Sequence, residues 1–362
     1  MRHAPRSTLL TLSCATVLLA GASTATAAPP PSAPPSEPTV VADGLITPLS
    51  FAVTPRGDVY VGQAFAGTLT HITKEGVRHD VVSVAPASIG AVSVHDGTLT
   101  WAQREAEGFE VSSAVLFRQA PDGTTTQVDL LASEAAANAD QVNTYGIQGL
   151  DDACAATIPA ELAPFLLPYS GRVDSNPYSS LTAAGTTYVA DAGANAIFAV
   201  SADGGVTTAA VLPPTAILLT EGMAAGFGLD ACVAGHEFWA EPVPTDVEMG
   251  QDGMLYVTSL PGGAEDASLG ANGAVYRVDP GTGDVALVAR GFIGATNLAV
   301  APNGTIYVTE LFAGRLSAIS RSGDLSTVAE LDQPAAVEWQ SGRLYVSTQV
   351  FGNGTILSLM QR

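Results

Sequence analysis

Basic side chains are scarce in this sequence: 14 Lys and Arg stand against 35 Asp and Glu, for a formal net charge of −21. Such a surface repels nucleic acid and anionic lipid, and it suits a cation, a neutral or cationic ligand, or solubility alone. No stretch approaches the ~20 apolar residues that span a bilayer, and the chain ends at Arg362 without an anchoring tail, so no membrane span is expected. Histidine is thin as well. His236-Glu237 has no second His at zinc-helix spacing and reads as surface. A Gly-x-Ser-x-Gly elbow is missing, and Gly226-Phe227-Gly228 lacks the third glycine and the setting of a nucleotide loop. Cysteine is limited to Cys14, Cys154 and Cys232.

What the sequence does contain begins with an export signal. Arg2 and Arg6 precede an apolar stretch over 9–20, and Ala25-Thr26-Ala27 has the small-x-small form of a cleavage site. Cleavage near Ala27 removes two arginines and no acid, taking the net charge to −23, and puts the mature chain outside the cytoplasm. A lipoprotein signal at Cys14 is the alternative, with Leu12 misplaced for it and a short apolar run before it. Residues 28–38 are a Pro-rich spacer that cannot join a β-ladder. Hydrophobic residues make up 47% of the sequence, ample for a packed core. Once Cys14 leaves with the signal, Cys154 and Cys232 are an isolated pair in an oxidising compartment, and a disulfide is expected.

Over 39–362 one pattern recurs: a Gly-containing turn, an apolar residue, then Tyr-Val. Copies stand at Val59-Tyr60-Val61, Thr187-Tyr188-Val189, Leu255-Tyr256-Val257, Ile306-Tyr307-Val308 and Leu344-Tyr345-Val346, with a degenerate one at Leu99-Thr100-Trp101. Gly57, Gly97, Gly185, Gly253, Gly304 and Gly342 sit at a fixed offset before them, as tight hairpins require. Pro48, Pro177, Pro244 and Pro334 open the preceding strands, where no ladder bond is lost. Each unit is a four-stranded antiparallel meander of roughly 40 residues, the period of a propeller blade. The expected fold is therefore all-β: a six-bladed β-propeller in one domain. The last unit has three strands only, and 39–42 is a β-prone segment without a partner. Pairing it beside 355–360 closes the ring and removes the open edges.

The segments Asp174-Ser175-Asn176-Pro177-Tyr178, Tyr188-Val189-Ala190-Asp191-Ala192-Gly193, Val243-Pro244-Thr245-Asp246 and Asp252-Gly253-Met254-Leu255-Tyr256-Val257 resemble the ScyD/ScyE family of exported propellers related to NHL repeats. The resemblance implies a fold and an export route, and no established reaction. This chain departs from the simplest members in two inserts, 132–169 and 213–242, each carrying one cysteine.

Aligned on the Gly-Tyr-Val turns, the innermost strands place Ser50, Ala91, Ser179, Asp246, Asn297 and Ala336 at one level of the channel, and Ala52, Ser93, Leu181, Glu248, Ala299 and Glu338 two residues on. Asp246, Glu248, Asn297 and Glu338 are hard oxygen donors of the kind that hold Ca2+, with Asp246 and Asn297 the first candidates. Asp174 and Asn176 could add ligands or simply form a turn. Six-bladed lactonases use such a ring for a catalytic metal, but this ring is poor in carboxylates at its first level. The expected role is binding or scaffolding of a small molecule or protein at the mouth of blades 3 to 5 with the inserts. A Ca2+-dependent lactonase-type hydrolase is the runner-up, and no catalytic residue is assigned. Trp101, Trp239 and Trp339 are expected to pack between blades, with exposure of Trp239 for partner contact as the alternative. Phe238 and Trp239 would be exposed if the inserts serve a protein partner.

Overall fold

The computed structural model describes residues 38–360; the signal and all but the last residue of the Pro-rich spacer lie outside them. Turn chemistry sets the basic unit. At Gly57 the backbone adopts φ +92°, which a side chain disfavours. Gly57 N then donates to Thr54 O at 2.9 Å, and the strand Pro48–Val53 folds back as Val59–Gln63. Gly253 and Gly304 repeat the device between later strands, again with positive φ.

Five sheets are built from four consecutive strands each, over 48–83, 88–129, 177–211, 244–292 and 295–330. These are sheets one to five. Sheet six takes Val337–Gln340, Arg343–Thr348 and Gly354–Met360, and its fourth strand comes from the N-terminal end, Thr39–Leu45. Thr39 pairs with Ser358, Val40 with Leu357 and Ala42 with Ile356, so the pairing anticipated for 39–42 is present.

Side-chain alternation explains how the sheets stack. The first strand of sheet five, Ala295–Val300, is buried almost throughout, whereas its fourth, Leu325–Glu330, is mostly exposed. First strands neighbour one another in cyclic order from sheet one to sheet six and back to sheet one. Between successive sheets lies a separate apolar cluster: Leu69 with Trp101, Leu116 with Phe198, Ile197 with Val257, Val275 with Leu298, Leu316 with Val346, and Ile356 with Phe51. Trp101 is buried in the first of these and stacks on Phe117. Trp339 stacks on Tyr307 beside the fifth.

The repeat pattern indicated six sheets, but the described residues form seven. The seventh is assembled from the two inserts, in the order Tyr169–Ser170, Thr144–Ile147, Glu237–Ala240, Thr215–Leu218. Four short helices accompany it: α1 (Leu130–Ala137), α2 (Asp152–Ala155), α3 (Ala163–Leu166) and α4 (Glu221–Gly226). Asp129 caps α1 by accepting from Ala132 N at 2.8 Å, Asp151 caps α2 and Thr220 caps α4. The insert unit has its own apolar cluster around Ile147, Leu219 and Val233. A disulfide joins Cys154 to Cys232, 78 residues apart, at the edge of that cluster. No helix among the described residues is long and apolar enough to cross a membrane.

Candidate functional site

In sheets one, three, four and five, the pairing of first and second strands slips by one residue at the same place: between Pro48 and Ser50, Pro177 and Ser179, Pro244 and Asp246, Ala295 and Asn297. A bulge of this kind re-aims the extra residue. Here the extra residues are Leu49, Tyr178, Thr245 and Thr296, and all four line a cavity of about 350 Å³ where the first strands begin. The residue just after each bulge is the one that sequence alignment placed in the ring.

Those ring residues bind their neighbours rather than empty space. Ser50 Oγ accepts from Val92 N at 2.9 Å, Asp246 Oδ2 from Leu298 N at 2.8 Å, and Asn297 Oδ1 from Val337 N at 2.7 Å. Ser179 Oγ donates to Asp246 Oδ1. Ser50, Asp246 and Asn297 thus each cap a buried backbone N–H of the following sheet, one residue past that sheet's own ring position.

Glu248 and Glu338 lie one level on and are half-buried. Burial first, then the Glu338 and Asp246 carboxylates, push Glu248 well above the usual carboxylate range; burial and Asp246 do the same to Glu338. Asp246 is raised by burial as well, against the opposing pull of its hydrogen bonds. Water reaches part of each glutamate and tempers the effect. Among the described residues, no three His, Cys, Asp or Glu side chains come together in a way that could hold a metal ion.

Asp174 and Asn176 make their hydrogen bonds at the rim. Asp174 Oδ1 accepts from Ser175 N at 2.7 Å and faces Arg104 Nη2 at 3.6 Å. Asn176 N donates to Asp191 Oδ1 at 2.6 Å. Asp191 is fully buried, and it also accepts from Ser175 Oγ, Gly193 N and Ala194 N. A Cβ on Gly193 would come within 2.8 Å of Ser175 N, so only glycine lets these two loops touch. The paired motifs around Asp174 and Asp191 are therefore two halves of one clamp. Asn195 extends it: Oδ1 accepts from Val243 N at 3.1 Å, and Nδ2 donates to Asp140 Oδ2 at 2.8 Å.

Beyond the clamp, the inserts line much of a second and larger cavity of about 580 Å³, open on one side. Ile147 and Phe238 of the insert sheet, Phe165 of α3 and Phe227 at the end of α4 supply apolar walls, and the loop Gly262–Ala264 of sheet four closes one side. The polar side chains that line it are Tyr169, Arg172, Asp174 and Glu241. Tyr169 Oη donates to Glu241 Oε1 at 2.8 Å, and the Arg172 guanidinium lies 4.3 Å from the Tyr169 ring centre. Burial raises the Glu241 carboxyl, with the Tyr169 and Asn195 hydrogen bonds opposing. Phe109, 85% exposed at a hairpin tip of sheet two, leans on Phe165 at the entrance. Phe238 and Trp239 are half-buried, and Phe238 faces this cavity.

Tyr169, Arg172 and Glu241 escaped sequence reasoning because they lie in or next to inserts with no repeat to align. The one available signal was Asn195, two residues beyond the Tyr188-to-Gly193 motif.

No protein-family model matches the sequence, and neither does any curated protein. Solved structures do. The chain is similar to an oxidoreductase described as a glucose dehydrogenase from Thermus thermophilus (15% identity, 90% of this chain and 99% of that one, TM-score 0.54). It is similar to a catalytically inactive virginiamycin B lyase from Staphylococcus aureus solved with quinupristin (12% identity, 90% and 99%, TM-score 0.51). It also resembles the soluble aldose sugar dehydrogenase of Escherichia coli (10% identity, 90% and 99%, TM-score 0.51). At such identities the likeness speaks for the fold alone: the chain is built on a β-propeller scaffold.

Proposed function

We infer that this chain is an exported six-bladed propeller that binds a small, largely apolar molecule in the cavity formed by its inserts. The six sheets with neighbouring first strands are taken as the blades and the insert sheet as an addition to blade 3. The export signal read at Ala25-Thr26-Ala27, together with a disulfide between Cys154 and Cys232, supports a site of action outside the cytoplasm. The resemblance of the Asp174 and Tyr188 motifs to the ScyD/ScyE family agrees with that address.

One observation carries the reading: a cavity of about 580 Å³ with mostly apolar walls and a few polar groups, Tyr169, Arg172, Asp174 and Glu241. Concave, mostly apolar pockets with a few convergent polar groups are what small-molecule sites look like. The hydrolase alternative has weaker support, because Asp246 and Asn297 already direct their oxygens at backbone N–H groups of the next sheet. Crystals soaked with a fragment library test the reading. Apolar fragments should collect between Phe165, Phe227 and Phe238. Fragments found only in the central mouth would count against it.

A further inference from the structure

Buried polar atoms without a hydrogen-bond partner are few among the described residues, and three of them fall within one short stretch: Glu134 Oε1, Asn138 Oδ1 and Asp140 Oδ1. Local backbone brings them together. Asn138 ends α1 in a left-handed conformation, φ +38°, and turns the chain into the 3-10 segment Ala139–Val142. The second oxygen of Glu134 accepts from Ala139 N at 3.4 Å, between the other two residues. Asn138 Nδ2 donates to Gly171 O at 3.1 Å. Asp140 Oδ1 lies against the same glycine, so near that a Cβ there would come within 1.9 Å of it. Asn138 and Asp140 thus both reach Gly171, and Glu134 bonds the backbone N–H of the residue between them.

Glu134 and Asp140 are both 0% exposed. Neither forms an ion pair with Lys, Arg or His among the described residues. Asp191 and Asp174 add further negative field at Glu134. Buried carboxylates in such surroundings are paired, bound to a metal, or protonated. Two carboxylate oxygens and an amide oxygen form a hard donor set, the kind that Ca2+ takes in flexible arrangements completed by water and backbone carbonyls.

We propose that Glu134 Oε1, Asn138 Oδ1 and Asp140 Oδ1 hold one hard divalent cation of the Ca2+ type. This site is separate from the channel ring and independent of the ligand reading. The other oxygen of Asp140 takes hydrogen bonds from Tyr145 Oη at 3.0 Å and Asn195 Nδ2 at 2.8 Å. An ion at Asp140 therefore fixes the turn to the insert sheet and to the Asp191 clamp, and braces the floor of the inserts against sheet three.

The test uses the mature chain stripped with a chelator, with Tb3+ as the probe and Ca2+ as competitor. Emission sensitised by nearby tyrosine should titrate to one Tb3+ per chain and be displaced by Ca2+. Saturating Ca2+ should raise the thermal midpoint by about 3 °C or more. Glu134→Gln and Asp140→Asn should abolish both effects, and Asp246→Asn should leave both intact. Should the carboxylate variants not fold, Asn138→Gly keeps the left-handed cap while deleting one ligand, and it should weaken Tb3+ binding at least about tenfold. Unchanged affinity in that variant overturns the proposal. So does a midpoint that ignores Ca2+ and rises only on acidification, which would put a proton on Glu134 in place of the ion. Binding lost in Asp246→Asn but kept in Glu134→Gln would move the ion to the channel and likewise overturn it.

Discussion

The amide oxygen of Asn297, on the first strand of sheet five, accepts the buried backbone N–H of Val337 on the first strand of sheet six at 2.7 Å. Asp246 does the same for Leu298 between sheets four and five, and Ser50 for Val92 between sheets one and two. Three side chains of the ring thus bond the backbone of the neighbouring sheet.

Deleting one of these acceptors strands a buried donor. Asn297→Ala should therefore cost about 2 kcal/mol, seen as a lower urea midpoint with an unchanged slope. Asn297→Asp keeps the acceptor and should lose less. An Asn297→Ala chain as stable as the parent would show that the bond contributes nothing.

Gly193 packs against Ser175 N, Asn176 N and the Asp174 carboxyl, all within 3 Å of where a Cβ would stand. Gly193→Ala should push the two halves of the clamp apart and destabilise the chain by about 1–3 kcal/mol. Hydrogen exchange at Asn176 and Ala194, whose N–H groups bind Asp191, should accelerate more than exchange in sheet five. Equal acceleration everywhere would contradict a local clamp.

The disulfide closes a 78-residue separation, which in the loop-entropy model constrains the unfolded chain by about 4–5 kcal/mol. Its loss should be felt first where it is anchored. In a Cys154→Ser, Cys232→Ser double variant, amides of Thr144–Ile147 and Glu237–Ala240 should lose protection well before those of Leu255–Ser259. Uniform loss of protection would mean that the inserts and blades form one cooperative unit.

How much of this was legible in the sequence follows from where the repeats are. Hairpin glycines and Tyr-Val pairs recur at fixed offsets, so the repeated four-stranded antiparallel sheets, the pairing of Thr39–Leu45 with Gly354–Met360 and the cysteine pair could all be read directly. The seventh sheet could not. Its central pairing joins Gly146 to Trp239 and Ile147 to Phe238 across a long stretch of chain, through strands of four residues each, too short to show a period. Glu134 and Asp140 sit in an alanine-rich insert with no repeat to align, yet both are buried, Asp140 against Gly171. At Ser50, Ser179, Asp246 and Asn297 the bulge just before each residue decides what it touches, and bulges leave little trace in composition.

Burial raises several carboxyls together: Glu134 to about 8, Asp140 and Asp191 to about 6. For an acid whose folded value lies above its unfolded value, the native chain holds the extra proton through the window between them, and stability falls as pH rises across it. In chelator, the melting temperature should therefore be higher near pH 5 than near pH 8. Glu134→Gln should flatten the upper part of that slope, between about 6 and 8. Stability that is level or rising over the whole window would contradict the burial of these groups.

Ligand binding in the insert cavity is tested most directly by a fluorescence titration with a neutral apolar dye such as Nile red. The parent chain and Asp246→Asn should each bind one dye per chain. Ala264→Trp, which places an indole into the cavity from the loop of sheet four, should bind at least about tenfold more weakly, the loss of about 1.4 kcal/mol. Dye binding that survives Ala264→Trp and disappears in Asp246→Asn would put the ligand in the central channel and contradict a site between the inserts.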